Sequence, residues 1–423
     1  MFWGLRRSIM IDIKLLREKP EFVKKNCEVR GAKVDVDEIV ALDKEMRELT
    51  VKTETLRSDR NRLSKECRDK PEAREQVKKI KEELALLEPK LVELQAQLDA
   101  KMAWLPNIIS PETPAGKDDT ENKEIRKVGE VRKFSFKPKD HQELGDLLGV
   151  IDATRGAKVA KSGFYYWKGQ GAQLCNAMFF WTQMELVKKG FTSFLTPCCA
   201  KEKTLFGTGY LPFFADQTFK IDKEDLSLIG TSEQTLVAFH ADETLNAASL
   251  PIRYTAFSPC FRTEAGSYGK ATKGIFRVHQ FHKVEQIIFC LPEESEKYHQ
   301  ECLVNEEYLL QKLGIPYRVV DVCLGDMGAP GYRKYDTEAW FPGFGGYREV
   351  TSNTNLTDFQ ARRLNIKYKK DDGSKGFVHT ISATAVTDRV AIAILENFQQ
   401  EDGSVIVPEV LRPFTGFEKI VPA

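Results

Sequence analysis

Long apolar runs are missing from this chain. No stretch approaches the roughly 18–20 residues that a membrane span needs, so the pattern reads as a soluble, globular protein. Net charge is nearly missing too: 63 Lys and Arg against 62 Asp and Glu leave +1. A nucleic-acid partner must therefore meet a local basic patch. The nine cysteines are scattered, odd in number and without a Cys-x-x-Cys pair. That argues against a disulfide framework and against zinc-finger spacing; a reduced, cytoplasmic setting is expected and zinc is not. No Gly-x-x-x-x-Gly-Lys-Ser/Thr occurs, and no Gly-x-Gly-x-x-Gly follows a strand-like run, which excludes P-loop and Rossmann nucleotide sites. Residues 1–10 carry Arg6 and Arg7 but no apolar signal core, and read as a tail before an alternative start at Met10.

What is present begins with two helical stripes. The chain, 423 residues long, has room for two or three domains. Ile39, Leu42, Met46, Leu49, Thr53, Leu56, Arg60 and Leu63 step by three and four, and so do Val77, Ile80, Leu84, Leu87, Leu91, Leu94 and Leu98. That 3.5-residue period is a coiled-coil seam. The connection around Lys70-Pro71 is short, so the helices fold back antiparallel, each about 45 Å long. Such a hairpin buries a narrow stripe and projects as an arm, placed at about 37–105. Pro89 removes one backbone donor and predicts a local bend. Between residues 57 and 81, ten Lys or Arg face five acids, so the distal arm is locally about +5, a charge that phosphate backbones attract. The bland alternative is a solvated face laced with ion pairs. Pro106, Pro111, Pro114 and Gly116 then break the pattern. The expected organisation is an N-terminal domain over 1–116, a linker over 117–130 and a second domain over 131–423.

The second domain mixes short β-rich runs with helices at 176–189, 294–312, about 357–364 and 385–398, which predicts an α+β fold on an antiparallel sheet. Its densest chemistry is Phe261-Arg262-Thr263-Glu264, a Gly-rich stretch over 265–274, then Arg277-Val278-His279-Gln280-Phe281 and Lys283-Val284-Glu285. Thr231-Ser232-Glu233 lies upstream; Tyr347-Arg348-Glu349-Val350-Thr351-Ser352-Asn353 and His379 to Arg389 lie downstream.

With the arm and these three groups in this order, the chain resembles the seryl-tRNA synthetases, class II aminoacyl-tRNA synthetases, over essentially its whole length. The resemblance implies ligation of serine to tRNA(Ser) through a seryl-adenylate, with ATP and Mg²⁺, by a homodimer whose arm holds the tRNA. It extends the acceptors to selenocysteine tRNA. Residues 176–197, ending at Pro197, match the dimer-forming motif 1. Arg262 matches the arginine on the α-phosphate and the substrate carboxylate, a task suited to a planar guanidinium. Glu264 matches the adenine-amino contact, Phe281 the ring stacked on adenine, and Arg277 a group facing the terminal phosphates. Glu349 and Ser352 match the metal-binding pair, and Arg389 the motif 3 arginine on the γ-phosphate. Thr231, Glu233, Glu285 and Thr384 match the serine pocket, with Glu285 accepting from the serine hydroxyl. In the arm, Arg57, Arg60, Arg68, Arg74 and Lys78 are the expected tRNA contacts. Two departures stand out. Tyr210 stands where glutamine is common. His379-Thr380-Ile381-Ser382-Ala383-Thr384 stands where His-Thr-Leu-Asn-Gly-Ser is usual, one residue shorter to Arg389.

Overall fold

The computed structural model describes residues 11–66, 70–265 and 274–422. Arg68, most of the Gly-rich stretch and the first ten residues lie outside them. The chain divides into two compact units between Ile108 and Ile109.

In the first unit, helices α1 (Ile13–Glu18) and α2 (Pro20–Val29) precede the long pair α3 (Val36–Glu66) and α4 (Pro71–Met102). Asp12 caps α1, its side chain accepting from the Lys14 amide at 2.9 Å, and Pro20 opens α2, where a missing N–H costs nothing. α3 and α4 pack side by side, and every seam position named above is buried or half-buried. Opposite charges link α3 to α4 beside the seam: Glu38–Lys101, Glu45–Lys90, Lys52–Glu83 and Arg57–Glu88. α4 runs unbroken through Pro89. Its neighbours Glu88 and Lys90 are both tied across to α3, which holds the chain helical past the missing donor. At the base, buried Asp43 accepts from Arg17 Nε and Nη2 at 2.8 and 2.6 Å and from Arg47 Nε at 3.0 Å, fastening α1 to α3.

The second unit is built on an eight-stranded sheet: β1 (Lys123–Val128), β2 (Thr192–Leu195), β3 (Ile252–Phe261), β4 (Gln280–Cys290), β5 (Tyr317–Asp321), β6 (Arg333–Phe341), β7 (Gly346–Thr357) and β8 (His379–Thr387). The order is β1-β5-β6-β7-β8-β4-β3-β2, antiparallel except for the β2–β3 pair. Helices α5 (Gln170–Lys188), α6 (Ser295–Leu313) and α7 (Asp388–Asn397) flank it. One face of the central strands packs on α6, where Asn305 donates to Gln286 at 2.8 Å and the Thr337 and Thr351 hydroxyls reach Glu306. The other face carries the cavity described below.

The expected linker is a correction. Residues 109–116 belong to the second unit, with the Ser110 amide on the Tyr332 carbonyl and the Gly325 amide on Gly116. Within 117–130, β1 forms the edge of the main sheet against β5. Its residues are almost all exposed, so Lys-Glu-Ile-Arg-Lys-Val carries no apolar alternation that would mark a strand. Likewise residues 385–387, expected in a helix, finish β8, and α7 starts at Asp388 with Thr387 as its cap.

Candidate active site

Period-two alternation on β4 sends Phe281, Lys283 and Glu285 to one face of the sheet and Val284 and Gln286 to the α6 face. Register then fixes what joins them. Thr384 on β8 is the direct partner of Glu285, and Ser352 on β7 is the partner of Asp336 on β6. Direct partners share a face, with side chains close enough to touch the same ligand. The result is a cavity of about 680 Å³ lined by Arg262, Glu264, Arg277, Phe281, Glu285, Glu233, Glu349, Ser352, Thr384 and Arg389. The eleventh expected residue, Thr231, reaches it through Glu285, donating from Oγ1 to Oε1 at 2.7 Å. Residues 120 or more apart in sequence thus meet at one place, of a size suited to a small ligand.

Carboxylates and cations pair around this cavity. Arg277 Nε lies 2.5 Å from Glu264, so two residues expected to hold ATP hold each other. Glu264 sits in the left-handed region at φ 52°, a conformation that costs a non-glycine residue energy and clusters at functional sites. Arg389 lies 3.6 Å from Glu349 and its guanidinium packs over Phe276 at 4.7 Å. Burial works against the charge on Glu349, but Arg389, Lys334 and Arg262 outweigh it and hold the carboxyl below its usual range. The Arg262 guanidinium lies 5.2 Å over the Phe281 ring, on the aromatic face expected to receive adenine.

The side of the cavity formed by Glu233 and Glu285 is buried. Glu233 accepts from Gln360 Nε2 at 2.6 Å and from the Tyr210 hydroxyl at 3.1 Å. Burial, then the nearby charge of Glu285, pushes the Glu233 carboxyl upward. Burial also pushes the Tyr210 phenol well up, which keeps it a donor. The tyrosine that replaces glutamine therefore still supplies a hydrogen bond, and supplies it to Glu233. In the altered motif 3, Ser382 and Thr384 both line the cavity, and a bulge between Thr384 and Val386 adjusts the β8 register before Arg389.

Several residues emerge only here. Lys283 contacts Glu285 directly and is almost fully buried; its spacing of two from Glu285 on a strand was the available signal. Gln360 bonds Glu233, the Thr208 carbonyl and the Thr380 hydroxyl. Asp336 is buried beside Ser352, with Lys334 Nζ at 2.9 Å from Oδ2. Burial pushes Asp336 up to about 7, with Lys334 pulling it down and Glu349 adding to the rise. Nothing in the local sequence links Asp336 to Ser352; only the strand register does.

Among the arm residues expected to meet RNA, Arg57, Arg74 and Lys78 are exposed, Arg57 while paired to Glu88. Arg60, on the seam, is half-buried and bonds Asn61.

A cavity lined by arginines and carboxylates on a largely antiparallel eight-stranded sheet is the architecture of a class II synthetase core. A model of that core, the "tRNA synthetase class II core domain (G, H, P, S and T)", matches residues 217–398. The seryl-tRNA synthetase N-terminal domain matches residues 10–109. A serine–tRNA ligase of Dictyoglomus thermophilum is 45% identical over 98% of this chain and 100% of its own length. Among solved structures, seryl-tRNA synthetase from Pyrococcus horikoshii, complexed with ATP, superposes with a TM-score of 0.92 at 41% identity, covering 98% of this chain and 100% of that one. The cytoplasmic serine–tRNA ligase of Naegleria fowleri, in complex with AMP, gives 0.86 at 32% identity, with 97% and 98% covered. The chain belongs to the seryl-tRNA synthetase family.

Proposed function

We propose that this chain joins serine to ATP as seryl-adenylate and then passes the seryl group to the terminal adenosine of tRNA(Ser), with selenocysteine tRNA as a second acceptor. The observation that carries the reading is the meeting of Arg262, Glu285 and Glu233 in one cavity with Glu264, Phe281 and Arg389. In the first step a serine carboxylate oxygen attacks the α-phosphorus and pyrophosphate leaves. Two anions must approach, so positioned cations do most of the work. Arg262 bridges the carboxylate and the α-phosphate. Glu264 takes the adenine amino group and Phe281 its ring. Arg277 and Arg389 take the outer phosphates, exchanging their present carboxylate partners for phosphate oxygens. Glu233 faces the ammonium, Thr231 orients Glu285, and Glu285 and Thr384 take the serine hydroxyl. An alanine would leave a buried acceptor unpaired, and a threonine would need room for a further methyl.

The residues present suit Mg²⁺. Glu349 and Ser352 offer hard oxygen ligands, and the neighbouring Asp336 has one buried oxygen, Oδ1, without a hydrogen-bond partner among the described residues. Glu349 and Ser352 would hold the ion, which when bound neutralises charge on the ATP phosphates. Homodimerisation is supported at β2, the edge strand opposite β1, where Leu195 is 91% exposed, and by exposed Phe180 and Val187 on α5. The arm, with its exposed basic residues, holds the tRNA through phosphate contacts.

Serine-dependent ATP–pyrophosphate exchange on the purified protein tests the first step, and charging of tRNA(Ser) transcript tests the second. Exchange driven better by another amino acid than by serine would overturn the reading.

A further inference from the structure

Glu285 uses its two oxygens unequally. Oε1 accepts from Thr231 Oγ1 at 2.7 Å and also contacts the ammonium of Lys283. Oε2 is buried and has no hydrogen-bond partner among the described residues, although the cavity is polar. Lys283 and Glu285 side chains are 9% and 1% exposed, so water screens their contact very little. A buried carboxylate needs such a partner, because desolvation favours the neutral acid. The titratable groups facing Glu285 from surrounding elements are nearly all of the wrong kind to help. Glu233 stands on the short helix Glu233–Ala238, Tyr210 on the preceding loop, Cys260 on β3 and Glu306 on α6 beneath the sheet. Among the described residues, Lys283 is the cation that touches it.

We propose that Lys283 is a specificity-determining positioning residue for the amino acid. Its ammonium and the Thr231 hydroxyl occupy Oε1, leaving Oε2 as the acceptor aimed at the substrate side chain. This rests on the reading of Glu285 as the hydroxyl acceptor. A pure acceptor suits a hydroxyl donor and is left unpaired by a methyl group, so the free energy of the open oxygen becomes discrimination against alanine. Charge balance points the same way. Glu233 and Glu285 against Arg262 and Lys283 make a pocket of no net charge, which fits a zwitterion. Without Lys283 the pocket carries one excess negative charge, and Oε1 loses the contact that fixes which oxygen of Glu285 is left for the substrate.

The test compares Lys283→Met, Lys283→Arg and Glu285→Gln by serine- and alanine-dependent exchange. Lys283→Met should raise the serine KM and cut the serine-over-alanine ratio of kcat/KM by at least about tenfold each, with the ATP KM within about twofold of the parent. Lys283→Arg should restore the ratio to within about threefold. A Lys283→Met enzyme with the parent's serine KM and ratio overturns the proposal. If Lys283→Met does not fold, the pair Lys283→Arg and Lys283→Gln decides it: equal ratios overturn it. Glu285→Gln separates the two layers. An unchanged serine KM in that variant sinks the role of Glu285 itself, whereas loss in Glu285→Gln with none in Lys283→Met removes only the part given to Lys283.

Discussion

Lys–Glu and Arg–Glu pairs occur in both units of this molecule, and they do different things in each. In the arm, Lys52–Glu83 and Arg57–Glu88 have side chains 41–56% exposed. In the cavity, the Lys283 and Glu285 side chains are each at most 9% exposed. Exposed pairs gain little, because water screens the attraction and ordering two long side chains costs entropy. Buried pairs change protonation states and leave costly unpaired charge when one partner is lost. The arm therefore uses charge to set alignment and to present a basic end, while the cavity uses it to fix which atoms accept and which donate. Removing parts from one unit should leave the other's step intact.

The largest separation should come from the arm as a whole. Deleting residues 45–92 and closing the stumps with a short loop should reduce tRNA charging by about a thousandfold while serine-dependent exchange stays within about threefold, because the lost phosphate contacts position only the RNA. Equal charging by the armless and full-length proteins would leave the arm as a structural element. In the cavity, Arg262→Ala should cost at least about 2.7 kcal/mol, a hundredfold, in exchange rate through lost stabilisation of the α-phosphate. A near-parent rate in a folded variant would remove Arg262 from the transition state.

Base and tip of the arm should differ as well. Asp43 is buried and binds Arg17 and Arg47, whose side chains stay partly in water. Burial opposes the Asp43 charge, but Arg17 and then Arg47 outweigh it and depress the carboxyl's pKa. Asp43→Ala should destabilise the N-terminal unit by about 2 kcal/mol, the scale of hydrogen bonds to a charged group. The depressed pKa also means that this contribution is present above the usual carboxylate range and fades as pH falls below it. Denaturant titration at pH 7 and at low pH measures both, and an effect that does not shrink on acidification would contradict the ionic account.

The two units were unequally legible in the sequence. Seam positions such as Ile39, Leu84 and Leu98 repeat at fixed spacing, and local periodicity is enough to place them. Asp43 sits beside the seam rather than on it and pairs with α1, so periodicity passes over it. In the cavity, Arg262, Glu264 and Phe281 lie within twenty residues of one another and were readable as a group. Asp336 and Gln360 were not, because what joins them to Ser352 and Glu233 is strand register and helix placement. β1 was invisible for another reason: an exposed edge strand of Lys-Glu-Ile-Arg-Lys-Val satisfies backbone hydrogen bonds without any apolar face.

The smallest effect is the sharpest test of the contrast. Arg57 donates to Glu88 Oε1 through Nε and Nη2, at 3.0 and 2.8 Å, joining α3 to α4. Both side chains are nonetheless more than 40% exposed. A double-mutant cycle over Arg57→Ala and Glu88→Ala should therefore return a coupling of at most about 0.5 kcal/mol, shrinking further as salt rises toward 1 M. Arg57→Ala alone should lower tRNA affinity by more than its effect on stability implies, because the same guanidinium faces the solvent from which the phosphate backbone approaches, and it should reduce the salt slope of binding by about one. Glu88→Ala should do the reverse, freeing Arg57 and leaving affinity equal or higher. If instead the cycle gave 2 kcal/mol or more and Glu88→Ala weakened tRNA binding, the pair would be a structural clamp like those of the cavity, and the arm's charges would have to be read as framework rather than as contact surface.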